Sequence, residues 1–275
     1  MIYADDVQVY TSFSPSERES ALQKIHDCIA DIRSWSTRNK LVINDDKTEL
    51  LHLSSKFLER LPGVELTVGD TAIEEKCEVR NLGVSIDNTL SRESQMNSTC
   101  RSAMAAIRKI SPIRTVLDRG TTLRLIHAFV TSRLDACNAL LGNAHAKTIA
   151  KLQRVQNIAA RITERATTHT STKLLLRNLH WLPVCKRVEY KILLLTYKAL
   201  TGEAPSYISD LIHVYTPPRA LRSQHQLLLQ VLRFNTQYYG SSSFSVMAPT
   251  LWNTLPNSVR TAPTQETFKT KLKTY

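Results

Sequence analysis

Near residue 90 the spacing of apolar residues changes from about two to between three and four, and that change divides the chain. Before it, short β-prone runs alternate with turn residues around one amphipathic stretch. There Leu22, Ile25, Ile29 and Ile32 recur at steps of three and four, the stripe of a helix. After it, residues 90–110, 121–135, 146–165 and 184–200 carry helical spacing, and two late helices are expected near 243–254 and 264–274. Strands first and helices afterwards predict an α+β fold: a partial sheet with one long helix, then a mostly helical remainder. Pro112, Pro183, Pro205, Pro217-Pro218, Pro249, Pro256 and Pro263 punctuate the helical part. The expected divisions are 1–90, a helical region at 91–200, and a less regular appendage at 201–275.

Within the first region, residues 1–3 and 7–11 are expected to pair as a hairpin around Ala4-Asp5-Asp6. Ser16-Glu17-Arg18-Glu19 reads as a capping box opening the helix. Residues 41–43 and 49–53 read as two strands about a turn at 44–48. Residues 64–68 and 71–73 read as a hairpin turning at Gly69-Asp70. Residues 79–86 read as one further strand interrupted by Gly83.

A length of 275 residues suggests about two domains. There are only 7 glycines and none cluster, which argues against the glycine-rich phosphate loops of Rossmann and P-loop enzymes. The five cysteines, Cys28, Cys77, Cys100, Cys137 and Cys185, are odd in number and widely spaced, so neither a disulfide framework nor a zinc site is expected. No HExxH motif, nucleophile elbow or Cys/His pairing points to a hydrolase. No run approaches the length of a membrane span, and the opening MIYADD resembles neither a signal nor a transit peptide. An intracellular protein, nuclear or cytoplasmic and not secreted, is expected.

Charge is distributed as unevenly as hydrophobicity. Residues 1–100 carry 11 Lys and Arg against 17 Asp and Glu, and residues 101–275 carry 25 against 7. A basic second half predicts a polyanionic partner, with a solvated basic surface as the plain alternative. The cations are also ordered. On a helical wheel starting at Lys147, Lys151, Arg154, Arg161 and Arg165 fall near 40°, 340°, 320° and 0°, while Ile149, Leu152, Ala159 and Ala160 lie between about 120° and 220°. One helix would bury its apolar side and present a cationic ridge that suits phosphates, with Glu164 the sole local counter-charge. Trp181 and Trp252 read as core anchors rather than base-stacking residues. Arg219, Arg222 and Arg233 suit either nucleic-acid contact or solubility.

In the first half the sharpest motif is Tyr3-Ala4-Asp5-Asp6. Adjacent carboxylates at a hairpin tip suit a polar turn, and they also suit a pair of Mg²⁺ or Mn²⁺ ions. Two such ions about 4 Å apart activate an attacking hydroxyl and stabilise a leaving pyrophosphate.

The order of motifs extends this reading. Tyr3-Ala4-Asp5-Asp6, then LVINDDKTELLHL, VRNLGVSID, SRLDACNALLGN (132–143), KLQRVQNIAARI (151–162), LHWLPVCKRVEYK (179–191), RALRS (219–223), FSVMAPTLWNTLP (244–256) and FKTKLKTY (268–275) span essentially the whole chain. In this order they resemble the reverse transcriptases of non-LTR, LINE-type retrotransposons of the jockey-like kind, from the polymerase hairpin onward. Ala136 stands where relatives often carry Tyr, and Gly142-Asn143 replaces an aromatic-Gly pair.

The resemblance implies RNA-templated addition of deoxynucleotides to a primer. It implies Asp5 and Asp6 as catalytic, metal-binding carboxylates, Tyr3 beside the incoming dNTP and primer end, and Lys47 near the triphosphate. It also implies an RNA template with a DNA primer, or an RNA–DNA hybrid, as partner, and places the ridge in or just beyond a thumb. In that family a further palm carboxylate, the fingers and an endonuclease lie upstream of the hairpin. The expectation is therefore a C-terminal portion without independent polymerase activity. The other expectation is a non-catalytic RNA- or DNA-binding module derived from a retroelement.

Overall fold

The computed structural model describes residues 2–3, 6–55, 66–68, 71–217, 219, 226–236 and 238–275. Contacts divide the chain into two compact units, Met1–Gln95 and Met96–Tyr275. The fold is α+β with helices dominant. Among the described residues no helix is long and apolar enough to cross a membrane.

The first unit opens with β1 (Ile2–Tyr3) antiparallel to β2 (Asp6–Val7), Ile2 opposite Val7 and Tyr3 opposite Asp6. Ala4 and Asp5 lie outside the described residues. A 3-10 turn at Pro15–Glu17 leads into α1 (Arg18–Arg38). The capping contact lies earlier than the expected Ser16 box. The Glu17 carboxylate accepts from the Ser14 backbone N–H at 3.2 Å and from its hydroxyl at 2.7 Å.

At the other end of α1, Lys40 turns left-handed (φ 59°) and the Leu41 N–H closes back on the Ser36 carbonyl at 2.9 Å. That closure removes a donor from residues 41–43, which form no strand. Residues 49–53 contribute only an isolated bridge between Leu50 and Glu75. The two strands expected here are replaced by loops around a 3-10 turn, Asp45–Lys47.

Next come two hairpins. β3 (Leu66–Val68) pairs with β4 (Thr71–Ile73), with Gly69-Asp70 outside the described residues. β5 (Glu78–Asn81) pairs with β6 (Val84–Asp87). The run expected as one interrupted strand is thus a hairpin. Leu82 (φ 45°) and Gly83 (φ 83°) both sit at positive φ, the twist of a type I′ turn. Among the described residues of this unit, Leu66, Val68 and Ile73 are buried against Ile25 and Ile29 of α1 and against Leu50.

After β6, Asp87 organises the approach to the next helix. Its carboxylate accepts from the backbone N–H groups of Thr89, Ser91 and Arg92 at 2.9–3.0 Å and from the hydroxyls of Thr89 and Ser91 at 2.7 and 3.0 Å. Partial burial pushes the Asp87 carboxyl up, but these bonds outweigh it and hold it below the usual aspartate range.

The second unit is built from helices: α2 (Glu93–Ile113, its first turn at the unit boundary), α3 (Arg119–Ile126), α4 (Ser132–Asp135), α5 (Ala146–Glu164), α6 (Thr172–Asn178), α7 (Val184–Leu200), α8 (Ser206–Ser209), α9 (Phe244–Thr254), α10 (Asn257–Arg260) and α11 (Gln265–Thr274). The helix expected over 121–135 runs without a break from Arg119 to Asp135, its middle turn at His127–Thr131 being π-helical between α3 and α4.

The helix α7 is central. It packs against α5, α8, α9, α11 and a 3-10 turn at Asn138–Leu141. A Cβ at Gly142 would meet the flexible ends of Met247 and of Ile192 on α7, which would have to shift to admit it. The Tyr197 ring stacks on Phe268 (centroids 4.5 Å apart), and Phe268 stacks on Trp252 (5.7 Å). The Tyr197 hydroxyl donates to the Ala262 carbonyl at 3.1 Å. The described residues of the last stretch, from Ile212 and Leu229 to Leu272, therefore share one core with the helices before them.

The segment Leu179–Pro183 is a helix junction. His180 is left-handed (φ 54°), and the Trp181 N–H returns to the Leu176 carbonyl at 2.8 Å. Trp181 is buried against the His127 ring edge, and Pro183 precedes α7.

Phe268→Ala should destabilise the second unit by about 3–4 kcal/mol in urea unfolding, as expected for loss of a fully buried ring. Asp87→Asn should cost about 1 kcal/mol near neutral pH. Because folding lowers this carboxyl's pKa, its contribution is present above the unfolded value of about 3.9. The gap between parent and variant should therefore close as pH falls through 4 and below, read from urea midpoints against pH.

Candidate nucleic-acid interface

Helix α5 forms where its residues alternate between two tasks. Leu152, Val155, Gln156, Ala159, Ala160, Ile162 and Thr163 are buried. Two glutamines fix the rotation of the helix. Gln153 accepts from the Val184 N–H at 2.8 Å and donates to Gln156, and Gln156 donates to the Leu182 carbonyl at 2.9 Å. These bonds tie α5 to the start of α7 and so decide which face meets solvent. The sequence signal for them was a pair of amides on an otherwise apolar side.

The outward face carries Lys147, Lys151 and Arg154, all exposed. The Lys151 Nζ donates to the Asn97 side-chain oxygen at 3.0 Å, a neutral partner that leaves the charge uncompensated. Lys147 and Arg154 have no hydrogen bond or ion pair among the described residues. The last two members of the expected ridge depart from it. Arg161 is half-buried, and its Nε is sealed from solvent without an acceptor. Arg165 lies past the end of α5 in a left-handed conformation (φ 49°), and its Nη2 donates to the carbonyls of Arg114 at 3.0 Å and Leu117 at 2.8 Å. Its guanidinium caps the loop after α2. The ridge on α5 is thus three exposed cations, not five, because Arg161 is half-buried and the helix ends before Arg165.

Counter-charges are engaged elsewhere. The unit's 25 Lys and Arg face only 7 Asp and Glu. Glu164, the expected local counter-charge, pairs with Arg119 at 2.6 Å. Asp135 is bound bidentately by Arg187, Glu189 pairs with Lys186, and Glu266 with Lys269. Asp118 caps α3 by accepting from the Thr121 N–H at 2.6 Å. No acidic side chain lies on α5 before Glu164.

The remaining expected site residues belong to the first unit. Tyr3 and Asp6 are opposed across the β1–β2 ladder, and Asp5 is outside the described residues. Gln8, just past β2, donates to Asn81 of β5 at 2.7 Å. Lys47 is exposed at the end of its 3-10 turn, which Asp45 ties to α1 through Arg33 at 2.7 Å. Among the described residues no hydrogen bond or ion pair joins Lys47 to Asp6, and no group of three or more His, Cys, Asp or Glu is placed to hold a metal ion. Hard carboxylate oxygens suit Mg²⁺ or Mn²⁺. Of the motif's two carboxylates, Asp6 is among the described residues and Asp5 lies outside them. Trp252 is buried and donates to the Leu227 carbonyl at 2.8 Å. Arg219 and Arg233 are exposed, and Arg222 lies outside the described residues.

The chain matches no protein-family model, no curated protein and no solved structure.

Arg154 and Arg165 should respond oppositely to removal. Arg165→Gln should lower the thermal midpoint by about 2–4 °C, as for loss of roughly 1 kcal/mol, and leave the salt dependence of nucleic-acid binding unchanged. Arg154→Gln should leave the midpoint unchanged and flatten the salt dependence. Thermal melts and binding titrations on both variants check this pair.

Proposed function

We propose that this chain is a retroelement-derived, reverse transcriptase-like protein whose helical unit binds RNA, or an RNA–DNA hybrid, through phosphate contacts. The observation that carries the reading is the α5 ridge: Lys147, Lys151 and Arg154 exposed opposite a buried stripe, with the nearby acids already paired. Fixed cations without local counter-charge attract a polyanion and release its condensed counterions. Such binding is independent of sequence and steep in salt.

The resemblance supplies the identity of the partner, a template with its primer. It also supplies the roles of Asp5 and Asp6 as metal carboxylates with Mg²⁺ or Mn²⁺, and of Tyr3 and Lys47 at the dNTP. The reading expects no primer extension from this chain. A second reading, a non-catalytic RNA- or DNA-binding module, draws support from the division of the molecule. The ridge belongs to the second unit and the β1–β2 hairpin to the first.

The triple substitution Lys147→Gln, Lys151→Gln, Arg154→Gln should reduce the log–log salt slope of RNA binding by about 2, from three contacts at roughly 0.7 each on single strands. Asp5→Ala with Asp6→Ala should leave binding unchanged. An unaltered slope in the triple variant would overturn the ridge as a phosphate surface. Primer extension on an RNA template, present in the parent and absent from the carboxylate variant, would overturn the non-catalytic expectation.

A further inference from the structure

We propose that two copies of this chain pair edge to edge at Val214, each adding an extended segment to the other's short β-ribbon.

The ribbon has two unlike edges. Val214 stands opposite Leu229 in an antiparallel bridge. The Tyr215 N–H donates to the Leu228 carbonyl and the Gln230 N–H to the His213 carbonyl, both at 2.8 Å. Because the flanking residues make these bonds, the N–H and C=O groups of Val214 and Leu229 themselves point outward, to opposite edges. At the Leu229 edge the Asn253 side chain stands in for a third strand. Its amide oxygen accepts from the Leu229 N–H at 2.9 Å, and its amide nitrogen donates to the Leu229 carbonyl at 2.8 Å. The Val214 edge is open. Among the described residues neither its N–H nor its carbonyl has a hydrogen bond, and residues 213–216 are all exposed.

Self-complementarity makes a second copy the occupant. In an antiparallel sheet a hydrogen-bonded pair of residues exchanges both N–H···O=C bonds. Val214 presents a donor and an acceptor to one edge, so it meets that requirement with its own counterpart across a two-fold axis, and the contact closes as a dimer. In that register His213 faces the counterpart of Tyr215, and Thr216 faces the counterpart of Ile212. Pro217 biases Thr216 toward an extended backbone and then ends the edge.

Charge and exposure agree with this occupant. Residues 101–275 carry 25 Lys and Arg against 7 Asp and Glu, an excess that opposes self-association in general. Residues 211–217 contain none of the four types, so no like charges oppose each other across the pair. Sheet edges are ordinarily guarded by lysine, other charges or proline. Here the first guard after Val214 is Pro217, three residues on. Leu211, Val214 and Tyr215 are 43%, 53% and 42% exposed, apolar surface for the second copy to cover.

The test uses the full chain, stripped of nucleic acid by nuclease and a high-salt wash and then returned to moderate salt. Sedimentation equilibrium should show a reversible monomer–dimer equilibrium, as for a small interface. Val214→Lys places two ammonium groups opposite each other and should weaken the dimer about tenfold, with the thermal midpoint unchanged. Under mild oxidation Val214→Cys should cross-link to its counterpart, because such pairs hold their Cα atoms about 5.5 Å apart, within disulfide range. Thr216→Cys should not, because it faces a different residue. Peptide mapping by mass spectrometry separates the 214–214 link from links through the exposed Cys77, Cys137 and Cys185. A chain that stays monomeric and forms no 214–214 link overturns the dimer and leaves the edge to an extended segment of another protein. A dimer that Val214→Lys does not weaken, or that Thr216→Cys cross-links as readily as Val214→Cys, overturns the pairing at Val214.

Discussion

Burial of α7 is the constraint on which the second unit depends. Val188, Ile192, Leu193, Thr196 and Tyr197 are buried on it, and four other helices pack against it. The Thr196 hydroxyl, fully buried, donates to the Ile192 carbonyl within the helix and so needs no outside partner. Once α7 is enclosed, its first turn becomes the anchor for α5. The Val184 N–H is an orphan donor at a helix start, and Gln153 satisfies it. That single satisfied donor, with the companion bond from Gln156 to Leu182, sets the rotation of α5. The outward aim of Lys147, Lys151 and Arg154 is thus a consequence of how the core closes.

The cost of leaving those cations unpaired is small beside what holds them. Like charges three and four residues apart on a helix destabilise it by about 0.2–0.5 kcal/mol per pair. Lys147, Lys151 and Arg154 make two such pairs. Fully burying one side chain such as Leu152 contributes about 1.5–3 kcal/mol. Packing therefore overrides the repulsion, and a bound polyanion would relieve it. The same arithmetic explains Arg165. At the left-handed end of α5 its guanidinium finds two carbonyls that lack other partners in their loop, and local hydrogen bonding claims a side chain that helical spacing alone assigned to the ridge.

What was legible in the sequence followed periodicity, and what was not depended on backbone chemistry between elements. The long helices read correctly because each has a continuous buried stripe, as α5 and α7 do. The late helices α9 and α11 read correctly for the same reason, with Trp252 and Phe268 marking their inner faces. Misreadings cluster at residues with positive φ that are not glycine. Lys40 diverts Leu41 into capping α1, so β-prone residues 41–43 find no ladder. Leu82 enters a turn beside Gly83 and makes two strands of one. Few side chains announce such a conformation, because its cost is local and is offset by capping bonds that only the folded chain displays. The α5 face was legible as a cationic stripe.

The two compact units differ in what they can hold rigid. Among the described residues the first centres on three buried residues of a short hairpin against one helix face, and its β1–β2 ladder is two residues long. A short ladder of this kind gains little stability of its own, so the position of Asp6 depends on tethers such as the Gln8–Asn81 hydrogen bond. The second unit buries a continuous core from α2 to α11 and carries the α5 cations on a helix that forms it. A surface that recognises phosphates by charge needs only that its cations stay fixed and outward, which a packed helix provides without a pocket. Carboxylate chemistry with metal ions demands side chains held to within about 0.5 Å. The proposed phosphate recognition on α5 would therefore stand on the packed core of the second unit, whereas any role for Asp6 is limited by how firmly a two-residue ladder is tied down.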